Sequence, residues 1–136
     1  MSYWIICLPR EDMLHCIDIG VFGLRRPQAI SHVKEGDKVV CVVTREKTWK
    51  VIAIGEATSD YYVDDEDVFK QPGMFIDRFK FKIQRLKPEL SFPDFINKLS
   101  CITKPQYWTV YFKNGIAKLS KEDWVLFCEA SSLPVE

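Results

Sequence analysis

The sequence has 136 residues, of which 47% are hydrophobic and 28% charged, and its 19 basic side chains balance its 19 acidic ones. This composition excludes a disordered chain, and the length predicts one domain over residues 1–136 that buries its core without disulfides. A net charge of zero argues against a strong nonspecific polyanion binder, because such domains are clearly basic. We expect the last few residues to be frayed.

The cysteines point to a reducing compartment. They are odd in number, form no CxxC pair and fall within apolar runs, at Cys7, Cys16, Cys41, Cys101 and Cys128. Such cysteines are typically buried thiols, so we expect a cytoplasmic protein. The first residues lack the basic leader of a signal peptide, and no apolar run is long enough to cross a bilayer, so no membrane partner is predicted.

The first part of the chain predicts a strand, a short helix and a loop. Ser2–Leu8 is rich in strand-forming residues, and Arg10–Ile19 carries apolar residues at helical spacing. Gly20 follows where a helix cap is expected. The next residues, Val21 to Leu24, precede two arginines, and we interpret them as a loop at the mouth of a barrel. Residues 28–33 predict one helical turn.

Two apolar runs, Val39–Val43 and Val51–Ala57, flank the polar link Thr44–Thr48. Their β-branched residues and short lengths predict a hairpin of two strands. Both faces of each strand are apolar, whereas an ordinary half-solvated sheet has one polar face. The pattern therefore favours the centre of a closed or nearly closed barrel that other elements cover.

The second half of the chain predicts further strands and helices. In the strand Phe75–Gln84 we expect alternate residues inside (Phe79, Phe81, Ile83) and outside (Arg78, Lys80, Lys82, Gln84). The remaining predicted elements are a helix at Ser91–Leu99, a strand at Trp108–Phe112, a hairpin turn at Asn114-Gly115, a strand at Ile116–Leu119 and a helix at Lys121–Ala130. The predicted fold class is α+β, with about six mixed strands in a pseudo-barrel surrounded by short helices.

Catalysis is not indicated. His15 and Cys16 are neighbours on a helix and point about 100° apart, so they cannot form a hydrogen-bonded pair. The sequence has no GxSxG, HExxH, GxGxxG or phosphate-binding glycine loop. No ligand pair has the spacing of a zinc site. We therefore predict neither an enzyme nor a cofactor or metal.

Aromatic residues near basic ones are the remaining signal. Aromatic walls at a barrel mouth can hold one planar base, while nearby cations contact phosphate. The candidate walls are Phe22, Phe69, Met74, Phe75 and Trp108. The candidate phosphate contacts are Arg25, Arg26, Lys104 and Lys113.

Four segments together resemble the EVE domain, in order and in spacing. They are SYWIICLPRED, the helix end GVFGL, the strand VKEGDKVVCVV and the late run YWTVYFKNGIAKLSKEDW. EVE domains are PUA-like and similar to YTH domains, which read methylated adenine in RNA. The resemblance implies a PUA-like pseudo-barrel with a pocket for a modified or flipped base.

The resemblance also implies roles for individual residues. Phe22 stands where these families carry an aromatic after the first helix, and Asp12 stands at a position of an asparagine that contacts the base edge. Pro9 replaces a second asparagine. The loop from Phe69 to Met74 resembles one that supplies a second cage wall, and Trp108 matches a recurrent tryptophan.

The resulting hypothesis is a non-catalytic module that binds a modified base in DNA or RNA. Phe22, an aromatic from the Phe69–Phe75 segment and Trp108 enclose the base, while Asp12 and the backbone at Gly23–Leu24 read its edge. Because an ionised carboxylate only accepts hydrogen bonds, Asp12 favours a base edge that presents N–H groups. Two alternatives stay open: a binder of small molecules or free nucleotides, and a protein-interaction module with a vestigial pocket.

Overall fold

A computed structural model describes residues 1–24, 29–66, 68–69 and 75–133. The strands within these ranges are β1 (Tyr3–Pro9), β2 (Val21–Leu24), β3 (Lys38–Thr44), β4 (Lys50–Ala57), β5 (Tyr62–Val63), β6 (Asp77–Ser91) and β7 (Ile116–Leu119). The α-helices are α1 (Arg10–Ile19) and α2 (Lys121–Ala130), and the 3₁₀ helices are η1 (Ala29–His32), η2 (Phe92–Phe95) and η3 (Pro105–Phe112). Within these ranges, none of the helices has the length and apolar character needed to cross a membrane.

The strands form one mixed, curled sheet. Its order is β2-β6-β4-β3-β1-β7, with β5 paired to β6. Strands β1 and β3 run parallel, and the other pairs are antiparallel. The two ends of this order approach one another, since a side chain added at Gly115 before β7 would lie 2.6 Å from Cδ2 of Leu24 in β2. The α+β, PUA-like pseudo-barrel predicted from the sequence is confirmed.

The central strands are buried on both faces, as the apolar runs predicted. In β3, Val39, Cys41 and Val43 join the cluster of buried residues beneath α1. Val40 and Val42 join a second cluster on the other face, which α2 and η2 cover. Burying a valine or isoleucine side chain completely contributes about 1.5–3 kcal/mol, so these strands are a principal source of stability.

Both α-helices have the bounds predicted from the sequence, and their ends explain why. Gly20 adopts the left-handed conformation (φ 72°) and its N–H donates to the carbonyl of Cys16 at 2.8 Å, which ends α1. At the start of α2, the Asp123 N–H donates to Oγ of Ser120 at 3.0 Å, and the Ser120 N–H donates to Oδ2 of Asp123 at 3.2 Å. This reciprocal pair is a capping box with Asp in the place of Glu.

Two predictions on the second half of the chain were wrong. Trp108–Phe112 is part of the 3₁₀ helix η3 and not a strand, because Pro105 opens a helical turn. Consequently the turn at Gly115 (φ 83°) joins η3 to β7, and β7 pairs with β1. The predicted helix Ser91–Leu99 is only the 3₁₀ helix Phe92–Phe95, followed by turns.

Two further expectations are corrected around β6. Residues Val21–Leu24 form a strand and not a loop, because they pair with β6 from Val21 opposite Lys80 to Leu24 opposite Asp77. Arg78 was expected to face solvent, yet it is only 3% exposed. Its guanidinium instead contacts the segment that follows β5.

Candidate functional site

A cavity of about 980 Å³ lies where the parallel strands β1 and β3 end. The chain leaves the sheet at this edge in a helix start and a loop, as it does at the binding crevices of open α/β sheets. Five parts of the chain supply its walls: the β1–α1 junction, the end of β2, the β3–β4 link, the connection between β5 and β6, and the end of η3 with the turn to β7. The volume is at the upper end of the range for ligand pockets.

The cavity brings together five of the residues predicted from the sequence: Asp12, Leu24, Phe69, Phe75 and Lys113. These residues come from α1, β2, the connection between β5 and β6 and the turn after η3, so only the tertiary fold makes them neighbours. Predicted residues Arg25, Arg26 and Met74 lie outside the described residues.

Phe22 does not line this cavity. Its side chain is fully buried, with its ring centroid 5.5 Å from that of Phe79 and 6.5 Å from that of Phe81. Pairing of β2 with β6 places Phe22 opposite Phe79 and turns its ring into the core. The hypothesis that Phe22 stacks on a base is therefore corrected: it is a core residue.

Two more of the predicted residues, Trp108 and Lys104, lie outside the lining of the cavity. The Trp108 ring packs edge-on against Trp49, with centroids 4.8 Å apart and planes at 80°. Trp49 lines the cavity, whereas Trp108 supports it from behind. Lys104 is exposed at the start of η3, outside the lining.

Arg78 fixes the aromatic wall that Phe69 and Phe75 form. Its Nε donates to the Phe75 carbonyl at 2.9 Å, and its Nη2 donates to the Glu66 carbonyl at 2.6 Å. The guanidinium carbon lies 5.0 Å from the ring centroid of Phe69, which is cation–π geometry. The buried Arg78 side chain thus contacts Glu66, Phe69 and Phe75, which all lie between β5 and β6.

His15 and Gly23 complete the support of this wall. Nε2 of His15 lies 2.6 Å from the Val68 carbonyl, and since a carbonyl only accepts, Nε2 carries the hydrogen. A side chain at Gly23 would place its Cβ 2.8 Å from the Phe75 carbonyl oxygen and 3.1 Å from the Phe69 ring. Only glycine allows the segment to approach β2 this closely.

Backbone strain is concentrated at the cavity. Among the described residues, three that are not glycine have positive φ, namely Arg45 (57°), Phe75 (58°) and Ser132 (58°). Arg45 and Phe75 both line the cavity. Left-handed conformations are unfavourable for such side chains and tend to occur at binding sites, where the surrounding structure imposes them.

An ion-pair network holds the β3–β4 link beside α1. Arg10 donates to both oxygens of Glu46, at 2.7 and 3.2 Å, and to both oxygens of Glu89, at 2.7 and 2.9 Å. These hydrogen bonds raise the pKa of Arg10 and lower the pKa of each glutamate. The network positions the link that carries Arg45 into the cavity wall, next to Thr44 at the end of β3.

The cavity offers polar groups of several kinds. Asp12 provides acceptors, and the start of α1, where Pro9 makes no side-chain capping hydrogen bond, lies at the cavity. Burial raises the pKa of Cys16 to about 12, which leaves this thiol protonated and unreactive. Within the described part of the chain, no three His, Cys, Asp or Glu side chains are grouped to hold a metal ion. The arrangement suits binding of a polar, planar ligand.

Sequence reasoning missed several lining residues: His15, Thr44, Arg45, Trp49, Thr109, Val110, Phe112 and Asn114. Trp49 carried a usable signal, because a tryptophan beside a polar hairpin link is unusual in a segment that is otherwise solvated. His15 also had one, because it lies three residues after Asp12 on the same helix. The others lack a local signal, since only the tertiary fold brings them to the cavity.

Solved structures with the same fold include binding proteins of nucleic acids. Human THYN1, in complex with DNA containing 5-methylcytosine, superimposes with a TM-score of 0.65 at 10% identity, covering 98% of this chain and 99% of that one. The YTH domain-containing protein mmi1, in complex with RNA, gives 0.67 at 11% identity, covering 96% and 80%. At these identities the likeness shows the fold.

The sequence matches no family model. It is 32% identical over 139 residues to the UPF0310 protein PH1033 of Pyrococcus horikoshii. The alignment covers 93% of this chain and 96% of the relative. An identity of this size over nearly both full lengths shows common membership: the chain belongs to the UPF0310 family.

Proposed function

We propose that this chain is an EVE-type, non-catalytic module that binds one modified nucleobase of DNA or RNA. The observation that carries the proposal is the cavity at the ends of β1 and β3, which combines aromatic walls with donors and acceptors. The nucleic acids in the complexes of THYN1 and mmi1, proteins with the same fold, support this ligand class.

Two groups of aromatic residues in the cavity lining, around Trp49 and around Phe75, would stack on the base. Trp49, in the β3–β4 link, is backed by Trp108 on one side and by Phe92 at 6.2 Å on another. Phe75 contacts Phe69 with centroids 5.4 Å apart. Such supported rings lose little entropy when a base stacks on them, and each stacked base contributes about 1–3 kcal/mol.

Hydrogen bonds would select the base edge. The Asp12 carboxylate would accept from an exocyclic amino group, as cytosine and adenine present, and a backbone N–H at the start of α1 would donate to a ring nitrogen or carbonyl. A methyl group on the base adds apolar surface against the aromatic wall, worth about 25 cal/mol per Å² buried. Arg45 and Lys113, both exposed at the cavity, would contact phosphate.

The test is binding of short fluorescent DNA and RNA strands. Each carries one methylated cytosine or methylated adenine and is compared with its unmodified control at the same salt concentration. We expect a preference of at least tenfold, about 1.4 kcal/mol, for one modified strand. Trp49→Ala should weaken that binding, whereas Trp49→Phe, which keeps an aromatic face, should retain most of it.

Two outcomes would overturn the proposal. Equal weak binding to all strands, lost at modest salt, would indicate surface electrostatics alone. Binding of the mononucleoside as tightly as of the strand, with little salt dependence, would favour the alternative of a free-nucleotide binder.

A further inference from the structure

A stripe of four exposed residues runs along η3 beside the cavity. The η3 stripe consists of Lys104, Tyr107, Val110 and Lys113, spaced three residues apart. In a 3₁₀ helix, residues three apart lie above one another. The Tyr107 N–H donates to the Lys104 carbonyl at 3.0 Å, and the Lys113 N–H donates to the Val110 carbonyl at 3.5 Å, so each pair spans one such turn. The backbone bends between them at Tyr107 (φ −116°, ψ 29°).

The apolar members of the stripe are unusually accessible. Tyr107 is 59% exposed and Val110 is 56% exposed, which places both among the most exposed large hydrophobic residues of the described chain. No ring contact or side-chain hydrogen bond joins Tyr107 to another described residue. Fold stability therefore gives little reason for an aromatic here, and exposed apolar surface beside a cavity is typical of a binding site.

The rest of η3 is anchored, so the stripe is a rigid surface. The Tyr111 hydroxyl accepts hydrogen bonds from the N–H groups of Thr103 and Lys104, at 3.2 and 3.0 Å. Trp108 and Phe112 pack on Phe92, with centroids 5.7 and 5.2 Å away. These contacts hold one side of η3 against the core and leave the stripe facing outward.

The stripe continues the cavity wall. Val110 and Lys113 line the cavity, whereas Tyr107 and Lys104 extend beyond it. A base bound in the cavity remains joined to neighbouring nucleotides, and the stripe is one part of the rim that they can cross. The stripe offers them an apolar and aromatic centre between two cations, which is the combination that binds single strands.

We propose that the η3 stripe binds the nucleotides next to the recognised base, with a neighbouring base stacked on Tyr107 and phosphates at Lys104 and Lys113. This inference rests on the proposed function. The nine residue steps from Lys104 to Lys113 would span about 18 Å in a straight 3₁₀ helix. The bend at Tyr107 shortens this distance, which leaves room for a few nucleotides. Stacking on Tyr107 requires an unpaired neighbour, so the ligand is a single-stranded or locally opened segment and not an intact duplex.

The experiment compares seven-nucleotide single strands, one with a central methylated cytosine and one with a central methylated adenine, with the corresponding mononucleotides and with duplexes. For the strand that the wild type prefers, Tyr107→Ala should weaken binding about tenfold. Its affinity for the mononucleotide should be unchanged, and Tyr107→Phe should bind the strand as the wild type does. Lys104→Gln should reduce the slope of log K against log salt by about 0.7, whereas Lys121→Gln, on α2, should not.

The outcomes separate the two proposals. An affinity for the preferred modified strand that Tyr107→Ala leaves unchanged would overturn the stripe and leave the base-binding cavity in place. Equal binding of duplex and single strand would also overturn the stripe. If the wild type prefers no modified ligand over its unmodified control, the proposed function fails, and the stripe fails with it.

Discussion

Replacement of Phe22 distinguishes a core role from a binding role. The ring is fully buried and packs against Phe79 and Phe81. Truncating a buried phenylalanine to alanine costs about 3–5 kcal/mol, and we expect the upper half of this range because two aromatic contacts are lost together. For a domain of this size the melting temperature should fall by on the order of 10–20 °C.

The assay is urea unfolding followed by the fluorescence of the four tryptophans. Phe22→Leu serves as the matched control, because it keeps most of the buried volume and should cost about 1–2 kcal/mol. Below the unfolding transition, Phe22→Ala should retain the nucleic-acid preference of the wild type. A variant that keeps its stability within about 1 kcal/mol and loses that preference would refute the burial argument, since Phe22 would then contact the ligand.

Gly23→Ala should weaken binding of the preferred strand, because the added Cβ would lie 2.8 Å from the Phe75 carbonyl and displace the aromatic wall; a titration equal to that of the wild type would show that the wall adjusts freely. Acid should destabilise the protein through Glu46 and Glu89, whose pKa values are lowered chiefly by hydrogen bonds from Arg10. Their contribution is complete above about pH 4.3 and is lost as the pH falls through the folded-state pKa values. Urea unfolding at pH 7 and pH 3 should therefore show a smaller difference for Arg10→Met than for the wild type, and equal differences would contradict this assignment.

The sequence predicted correctly the elements whose ends are set by nearby residues. The bounds of α1 and α2 follow from apolar spacing together with the caps at Gly20 and Ser120, and these signals lie within a few residues of each helix end. The central hairpin followed from two apolar runs. In contrast, the apolar and polar residues of Trp108–Phe112 fit a strand and a 3₁₀ helix alike, and only the packing of Phe112 and Trp108 on Phe92 decides between them.

The site was harder to predict, because it depends on contacts between distant segments. Phe22 follows a helix stop, a position that suggested a loop, and pairing with a strand more than 50 residues later buries it. Trp49 reaches the cavity only because β3 lies beside β1. Asp12, Phe69, Phe75 and Lys113 were predicted from residue type and resemblance, and the fold brings them to one cavity.

The burial of β1 and β3 on both faces has a consequence for how such proteins diverge. A substitution within these strands changes packing on one face or the other, so most changes there carry a stability cost. The segments beyond the strand ends escape this constraint, and they provide most of the polar side chains of the cavity. Substitutions in the connecting segments can therefore change the cavity while the sheet is kept. The similar backbones of this chain, THYN1 and mmi1, at 10–11% sequence identity, agree with this.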